Sequence, residues 1–464
     1  MLFGWGRTSP SRANLLDVPD EGAAAAAVQG AGSRGVLARG LGRSYGDAAQ
    51  NGGGTVIRLQ EGGIELDASA GTVCAGAGVS IEALISYLVP RGYFVPVTPG
   101  TRLVTVGGAI AADIHGKNHH VDGSWGNHLD WLELMDANGD VRRISPSVDP
   151  EAFWATVGGM GLTGVVVGCA FRAIPVESPA MLVDTWRTSD LDETMALMAE
   201  REDDYRYSVA WVDALASGAH LGRGVVTMAD HAPADSAGKS RPVDFERGPR
   251  AAVPPLVPSG LLNALTIRAF NELWYRKAPR HRSGEVQSIG SFFHPLDLVA
   301  DWNRLYGRRG MLQYQIVIPL GQEAVLRSVM ERLVRGRAAS FLTVLKRFGA
   351  ANDGMLSFPK PGWTLTLDVP AGVDGLGALL DELDVDVVGA GGRVYFAKDS
   401  RVSPALVGAM YPRIDEWRAV CDRLDPGGRF QSDLSRRLGL RRHAREDERR
   451  PGVSETSSRV VEGS

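Results

Sequence analysis

Cysteine is scarce in this chain of 464 residues, and the 3 present, Cys74, Cys169 and Cys421, lie far apart with no CxxC spacing. That scarcity excludes a disulfide framework and a cysteine-based zinc site, and it fits a reducing compartment. Long apolar runs are missing too. No uninterrupted stretch reaches the length of a bilayer span, and "MLFGWGRTSPSRANLL" at the N-terminus lacks the apolar core of a signal peptide. A cytoplasmic protein is therefore expected. Nor is there an excess of positive charge. With 50 Lys and Arg against 54 Asp and Glu, the formal net charge is -4, which argues against nucleic acid as the main partner. Internal repeats are absent.

Glycine is abundant instead, at 57 residues. The first part of the chain, to about residue 177, alternates short β-like runs ("GTVIRL", "GTVCAGAGVS", "GLTGVVVGCAFRAI") with glycine turns and one helical stretch, "SIEALISYLVPRG". From about 178 to 392 amphipathic helices appear ("DLDETMALMAERE", "QEAVLRSVMERLVRGR"), with strands at "LQYQIVIPL" and "WTLTLDVP". A Pro-rich connection over 231–259 reads as a mobile surface loop. After 392, "GRVYFAKDSRV" reads as a strand leading into a helix. The charged tail, 440–464, should be disordered, and its basic cluster invites comparison with lipid-surface anchors.

Six glycines punctuate "GLGRSYGDAAQNGGG" at 40–54. No Gly-Lys-Ser/Thr follows, so it is not a P-loop, and the spacing at 40, 42 and 46 is not the dinucleotide fingerprint. A strand running into small residues can turn several backbone N–H groups toward one anion. A glycine-rich hairpin with no ligand is the alternative. Two further segments, "TPGTRLVTVGGAIAADIHGKNHH" and "GGMGLTGVV", are again rich in Gly, Ala and Thr, and glycine permits close backbone approach. Three such segments suit a long ligand with a pyrophosphate in its middle. The cluster Asp113, His115, Lys117, His119 and His120 is no metal site by its spacing, because a lysine among the ligands repels a cation. Gln313 and Gln315 alternate with Tyr314, so a strand presents both on one side.

Taken in order, "ARGLGRSYGDAAQNGGG", "PGTRLVTVGGAIAADIHGKNHH", "FWATVGGMGLTG", "ELWYRK", "LQYQIVIP", "YFAKDSR" and "MYPRIDEW" resemble the decaprenylphosphoryl-ribose oxidases. These are a branch of the vanillyl-alcohol-oxidase type of FAD-binding oxidoreductases. The resemblance covers residues 4–438. It implies an α+β fold of two domains: an FAD-binding domain over 1–177 plus 393–439, and a substrate domain over 178–392 built on an antiparallel sheet with helices.

By the same resemblance, Ala38, Arg39, Gly40, Leu41, Gly42, Arg43, Ser44, Tyr45, Gly46, Asp47 and Ala48 cradle the pyrophosphate. Gly100, Thr105, Val106, Gly107, Gly108, Ala112, Asp113, Ile114, His115, Gly164 and Tyr395 continue along the cofactor. Lys398 and His115 are the implied catalytic pair. Tyr45, Lys117, Trp211, Leu296, Gln313, Gln315, Lys346, Phe348, Thr364 and Thr366 line the substrate with Lys398, and Lys346 is placed to meet a lipid phosphate. Many relatives bind FAD through a loop histidine; Asp47 stands there, so non-covalent FAD is expected. Thr364 and Thr366 replace a usual Asn and Cys, and Phe293 a usual Tyr.

The implied reaction is oxidation of the 2′-hydroxyl of decaprenylphosphoryl-β-D-ribose for cell-wall arabinan. An NAD(P)H-dependent keto-reductase and peripheral contact with a membrane are the implied partners. An aldonolactone- or alditol-type oxidase, a paralogue acting on another polyprenyl-phosphate sugar, and a non-catalytic scaffold stay open as alternatives.

Overall fold

The computed structural model describes residues 1–235, 248–255, 257–258 and 260–441. Of the 231–259 connection, residues 236–247, 256 and 259 lie outside the described residues, as does the tail from 442. Leu440 and Arg441 are not part of any free tail. Both are buried, and Arg441 Nη1 donates to Asp425 Oδ2 at 3.1 Å.

Three sheets of three or more strands carry the described residues, beside two two-stranded pairs. A small parallel sheet is ordered Asn14–Val18, Thr55–Leu59, Val36–Ala38. Val56 and Ile57, adjacent in its middle strand, are both fully buried, as expected for a parallel strand covered on each face. The helix Glu21–Gln29 covers one face with Ala24 and Val28, started by Asp20, whose carboxylate accepts from Ala23 N at 2.8 Å. Beside it lies an antiparallel sheet of five strands: Ile64–Asp67, Thr72–Gly76, Val165–Arg172, Leu129–Met135 and Val141–Ile144.

The third sheet has eight strands, in the order His281–Ser288, Ala180–Thr188, Gly224–His231, Tyr207–Val212, Thr343–Phe348, Gly362–Pro370, Met311–Pro319 and Arg393–Val394. Alternation along Met311–Pro319 sends Tyr314 toward the helix Leu376–Gly389, where its hydroxyl donates to Asp384 at 3.0 Å. Gln313 and Gln315 therefore face the other way. Register does the rest. Trp211 sits opposite Val344, Val344 opposite Thr366, and Thr366 opposite Gln315, so one row of side chains crosses four strands on the same face. Lys346 follows in the next row, opposite Thr364. The architecture is α+β, with antiparallel sheets, one short three-stranded parallel sheet and one parallel pair, Ala251–Ala252 with Val299–Ala300.

The stretch after 392 differs from the strand-then-helix reading. Only Arg393–Val394 pairs, and the chain then turns, with Asp399 Oδ1 accepting from Arg401 N at 2.9 Å and Val402 N at 2.8 Å. This turn presents Lys398.

Candidate active site

A cavity of about 400 Å³ runs between the glycine-rich loops and the open face of the large sheet. One end is built by the loop that begins where the strand Val36–Ala38 stops. Arg39 N donates to Ile57 O at 2.8 Å and Tyr45 N to Ala397 O at 2.9 Å. Between them, the N–H groups of Gly40, Leu41, Gly42, Arg43 and Ser44 find no protein acceptor among the described residues. Unpaired backbone donors in succession, at a cavity wall, form an anion cradle. Gly42 adopts φ +68°, which only glycine takes cheaply. Arg39 holds the loop down through Ala49 O at 2.6 Å and Phe3 O at 2.7 Å.

The opposite end gathers charge. Lys398 Nζ stands 4.2 Å from the centre of the Tyr45 ring. Burial depresses its ammonium, partly opposed by the Asp368 carboxylate. Asp368 is itself fully buried and pushed upward by that burial; Gln313 Nε2 donates to one of its oxygens, and the other has no partner. Lys117 and Lys346 are half-buried in the same wall. Lys117 donates to Phe292 O and Lys346 to Gly116 O at 3.3 Å, and neither meets a carboxylate among the described residues. Burial first, then the neighbouring lysine charges, lower both to about 7. Buried cations without a counter-charge mark a site that receives an anion.

His115 lies between these ends. Its ring packs edge-on against Phe348 at 4.8 Å, and its Nε2 is 2.9 Å from Gln315 Nε2. Burial and the nearby Lys346, His119 and Lys398 hold it far below the usual imidazole range, so it presents a neutral ring. Its Nδ1 has no partner. His119 packs on the same Phe348 ring at 4.5 Å, and His120 reaches Tyr205 O at 2.9 Å.

Ala38, Arg39, Gly40, Leu41, Gly42, Arg43, Ser44, Tyr45, Ala48, Gly100, Thr105, Gly107, Gly108, Ala112, Ile114, His115, Gly164 and Tyr395 all line this cavity. So do Lys117, Leu296, Gln313, Gln315, Lys346, Thr366 and Lys398. Seven of the residues named from sequence stand behind it. Gly46 is wedged against Asp399, and Asp47 accepts from Arg437 at 2.8 Å. Val106 is core. Asp113 is an anchor: its carboxylate accepts from Ser124 Oγ at 2.7 Å, Gly126 N at 2.8 Å and Asn352 Nδ2 at 2.8 Å, as well as from Ser357. Trp211 donates to Phe341 O at 3.0 Å, Phe348 backs His115, and Thr364 lies beneath Gln315.

Sequence reasoning missed Asp368, although Thr364, Thr366 and Asp368 alternate as polar residues on one strand face. It also missed Trp5, which threads in from the N-terminus, with its N–H on Ser44 O at 2.8 Å and Arg43 stacked on its ring at 3.9 Å. No local signal announces that contact. Lys398 pairs with no surface acid, because Asp399 is taken by Arg437 at 2.8 Å.

A family model described as an FAD binding domain matches residues 16–145. The cavity fits such a group: free loop amides for the pyrophosphate, and Gly100, where a Cβ would meet nothing within 4 Å. Decaprenylphosphoryl-beta-D-ribose oxidase of Mycolicibacterium smegmatis is 45% identical over 95% of this chain and 97% of its own length. An uncharacterized protein of Streptomyces coelicolor is 41% identical over 78% of this chain and 100% of its own. D-Arabinono-1,4-lactone oxidase of Eremothecium gossypii shares 26% identity over 29% of this chain and 26% of its own. Agreement along nearly the whole of both chains, together with the matched FAD binding domain, makes this chain a member of the decaprenylphosphoryl-β-D-ribose oxidase family of FAD-binding oxidoreductases.

Proposed function

We propose that this chain oxidises the 2′-hydroxyl of decaprenylphosphoryl-β-D-ribose to the keto sugar, the first half of an epimerisation to the arabinose donor of cell-wall arabinan. One observation carries the reading: a single cavity joins an anion cradle for the cofactor to a lysine cluster that suits a sugar phosphate. FAD, held without a covalent bond by the loops at 38–48 and 100–115, supplies hydride acceptance when bound.

The rest is done by this chain. Lys398 Nζ is placed to take the hydroxyl proton, since burial makes its free amine accessible near neutral pH and Asp368 stabilises the ammonium that results. Tyr45 supports that ammonium from below with its ring face. Gln315 and neutral His115 offer hydrogen bonds to the other ribose hydroxyls. Lys117 and Lys346 hold the phosphate, which restores their protons as it binds. Phe293, Leu296 and Leu342 form apolar wall where the lipid enters. A separate NAD(P)H-dependent reductase would return hydride to the keto sugar.

The lipid tail requires peripheral contact with the cytoplasmic face of a membrane, and among the described residues no helix is long and apolar enough to cross one. The test is anaerobic mixing of the purified flavoprotein with a short-chain polyprenylphosphoryl ribose. Bleaching of the flavin with recovery of the keto sugar is expected. A flavin that stays oxidised with this substrate, yet bleaches with free aldonolactones, would overturn the reading in favour of a soluble-sugar oxidase.

A further inference from the structure

The helix Ala264–Lys277 wears its apolar side outward. Only Ile267 and Asn271 are buried beneath it, one turn apart. On the far side Leu265 is 77% exposed and Leu273 70%; Phe270 and Trp274, at the edge of the packed side, are still open at 43% and 45%. Leu265, Ala269 and Leu273 are spaced four apart, so they form one stripe, and Phe270 with Trp274 forms the next. The two rings lie parallel, 6.1 Å apart. Asn263 and Thr266 cap the helix reciprocally, which fixes the stripe at its start.

This stripe connects to the cavity through aromatic rings. Phe270 meets Phe341 at 5.7 Å, Phe341 meets Tyr306 at 6.0 Å, and Tyr306 meets Trp302 at 6.4 Å. Trp302 lines the cavity. An apolar track therefore leads from the outer helix face to the substrate end of the site. Positive charge predominates around it. From 260 to 282 the chain carries Arg268, Arg276, Lys277, Arg280 and Arg282 against Glu272 alone, in a chain of net charge -4. All five cations are exposed; Arg276 pairs with Glu272, which Arg223 shares at 2.5 Å, and Arg282 pairs with Glu285 at 3.2 Å, which leaves Arg268, Lys277 and Arg280 with no acidic partner among the described residues.

We propose that the outer face of Ala264–Lys277 docks on a bilayer with anionic headgroups and lies in its interfacial plane beside the entrance for the lipid tail. Exposed leucines and a tryptophan flanked by arginines are what such a surface binds: the apolar stripe enters the acyl boundary, and the cations meet the phosphates. The proposal rests on the reading of the substrate as lipid-linked, and it adds the surface that meets the lipid.

The test uses the full-length holoenzyme and flotation with vesicles of phosphatidylcholine and phosphatidylglycerol. Wild type is expected to float, with binding that weakens as salt rises. The double variant Leu265→Ser, Leu273→Ser should bind at least about 10-fold more weakly, from the lost burial of two leucines. Val385→Ser, which alters an exposed valine on another helix, should bind like wild type. Oxidation of a short-chain soluble substrate should be unchanged in both variants. For vesicle-borne long-chain substrate, only the double variant should show a raised KM, by roughly 10-fold.

Equal flotation of wild type and double variant would overturn the proposal, as would a wild-type dimer that the double substitution dissociates, since the face would then belong to a second copy. Turnover of the soluble substrate without any vesicle binding by wild type would overturn the docking face and leave the oxidase reading intact. Vesicle binding lost in the double variant, with no turnover of any lipid-linked sugar by wild type, would support the face and sink the oxidase reading.

Discussion

Gly46→Ala is the substitution that most directly tests how the anion cradle and Lys398 are held together. A Cβ at Gly46 would lie 2.0 Å from Asp399 O, 2.9 Å from Asp399 C and 2.9 Å from Ser400 Cα. All three are backbone atoms, so no side chain can swing aside. Relief requires the segment carrying Lys398 to separate from the loop by about 1.5 Å, the difference between the closest of these contacts and ordinary packing distance. The adjacent hydrogen bond, Tyr45 N to Ala397 O at 2.9 Å, would stretch beyond use. Overpacking costs roughly 1–3 kcal/mol and the lost backbone bond about 1 kcal/mol more. The variant should therefore unfold a few degrees lower, roughly 2–4 °C by the usual scaling for a chain of this length. Function should suffer further, because Tyr45 and Lys398 face each other across that junction. A 1 Å misplacement of a reacting group costs on the order of 100-fold in rate. Single-turnover flavin reduction, followed with the melting temperature, measures both. Gly377→Ala provides the control, since its Cβ would meet nothing within 4 Å and the helix gains a better helix former. A Gly46→Ala protein with wild-type melting and wild-type flavin reduction would refute the coupling of loop and lysine.

Other substitutions test the remaining parts. Lys346→Met should raise KM about 10- to 100-fold, the worth of a hydrogen bond to a charged group, with kcat nearly unchanged, as steady-state kinetics will show. Because Lys117 and Lys346 lie at about 7, their ammonium forms dominate below that pH and are lost above it. Lys398, at about 8, must lose its proton to act as base, so kcat/KM should be bell-shaped with its maximum between about 7 and 8, whereas kcat should rise with pH as Lys398 deprotonates, because bound phosphate keeps the other two lysines charged. Arg437→Met removes the cation that bridges Asp47 and Asp399, two buried carboxylates each at 2.8 Å, and should cost about 3–5 kcal/mol by denaturant melts. Thr366→Cys exchanges a small cavity-lining side chain for another and should keep flavin reduction within about 2-fold while adding a thiol that alkylating reagents titrate.

Much of this site can be read from local pattern because its chemistry is local. Glycines at 40 and 42 announce a loop whose amides lack partners, and the alternation of Gln313, Tyr314 and Gln315 tells which of them leave the core. Asp113 shows where such reading stops. Beside Ile114 and His115 it passes for a ligand contact, yet its φ of +40° and its four donors turn it away from the cavity. Two of those donors, Asn352 and Ser357, come from more than two hundred residues downstream, and no spacing within "AADIHGKNHH" encodes them.

Asp368 marks the opposite case, a residue whose importance follows from register alone. It stands opposite Gln313 across two antiparallel strands, so the amide that faces the cavity is also the amide that neutralises half of the carboxylate. A one-residue slip of that pairing would send Asp368 to the helix side and leave Lys398 with no anion within the wall. The helices on the other face oppose such a slip, because Tyr314 must reach Asp384 and Leu365 and Leu367 must stay buried. The apolar packing on one side of the sheet thus fixes the electrostatics on the other.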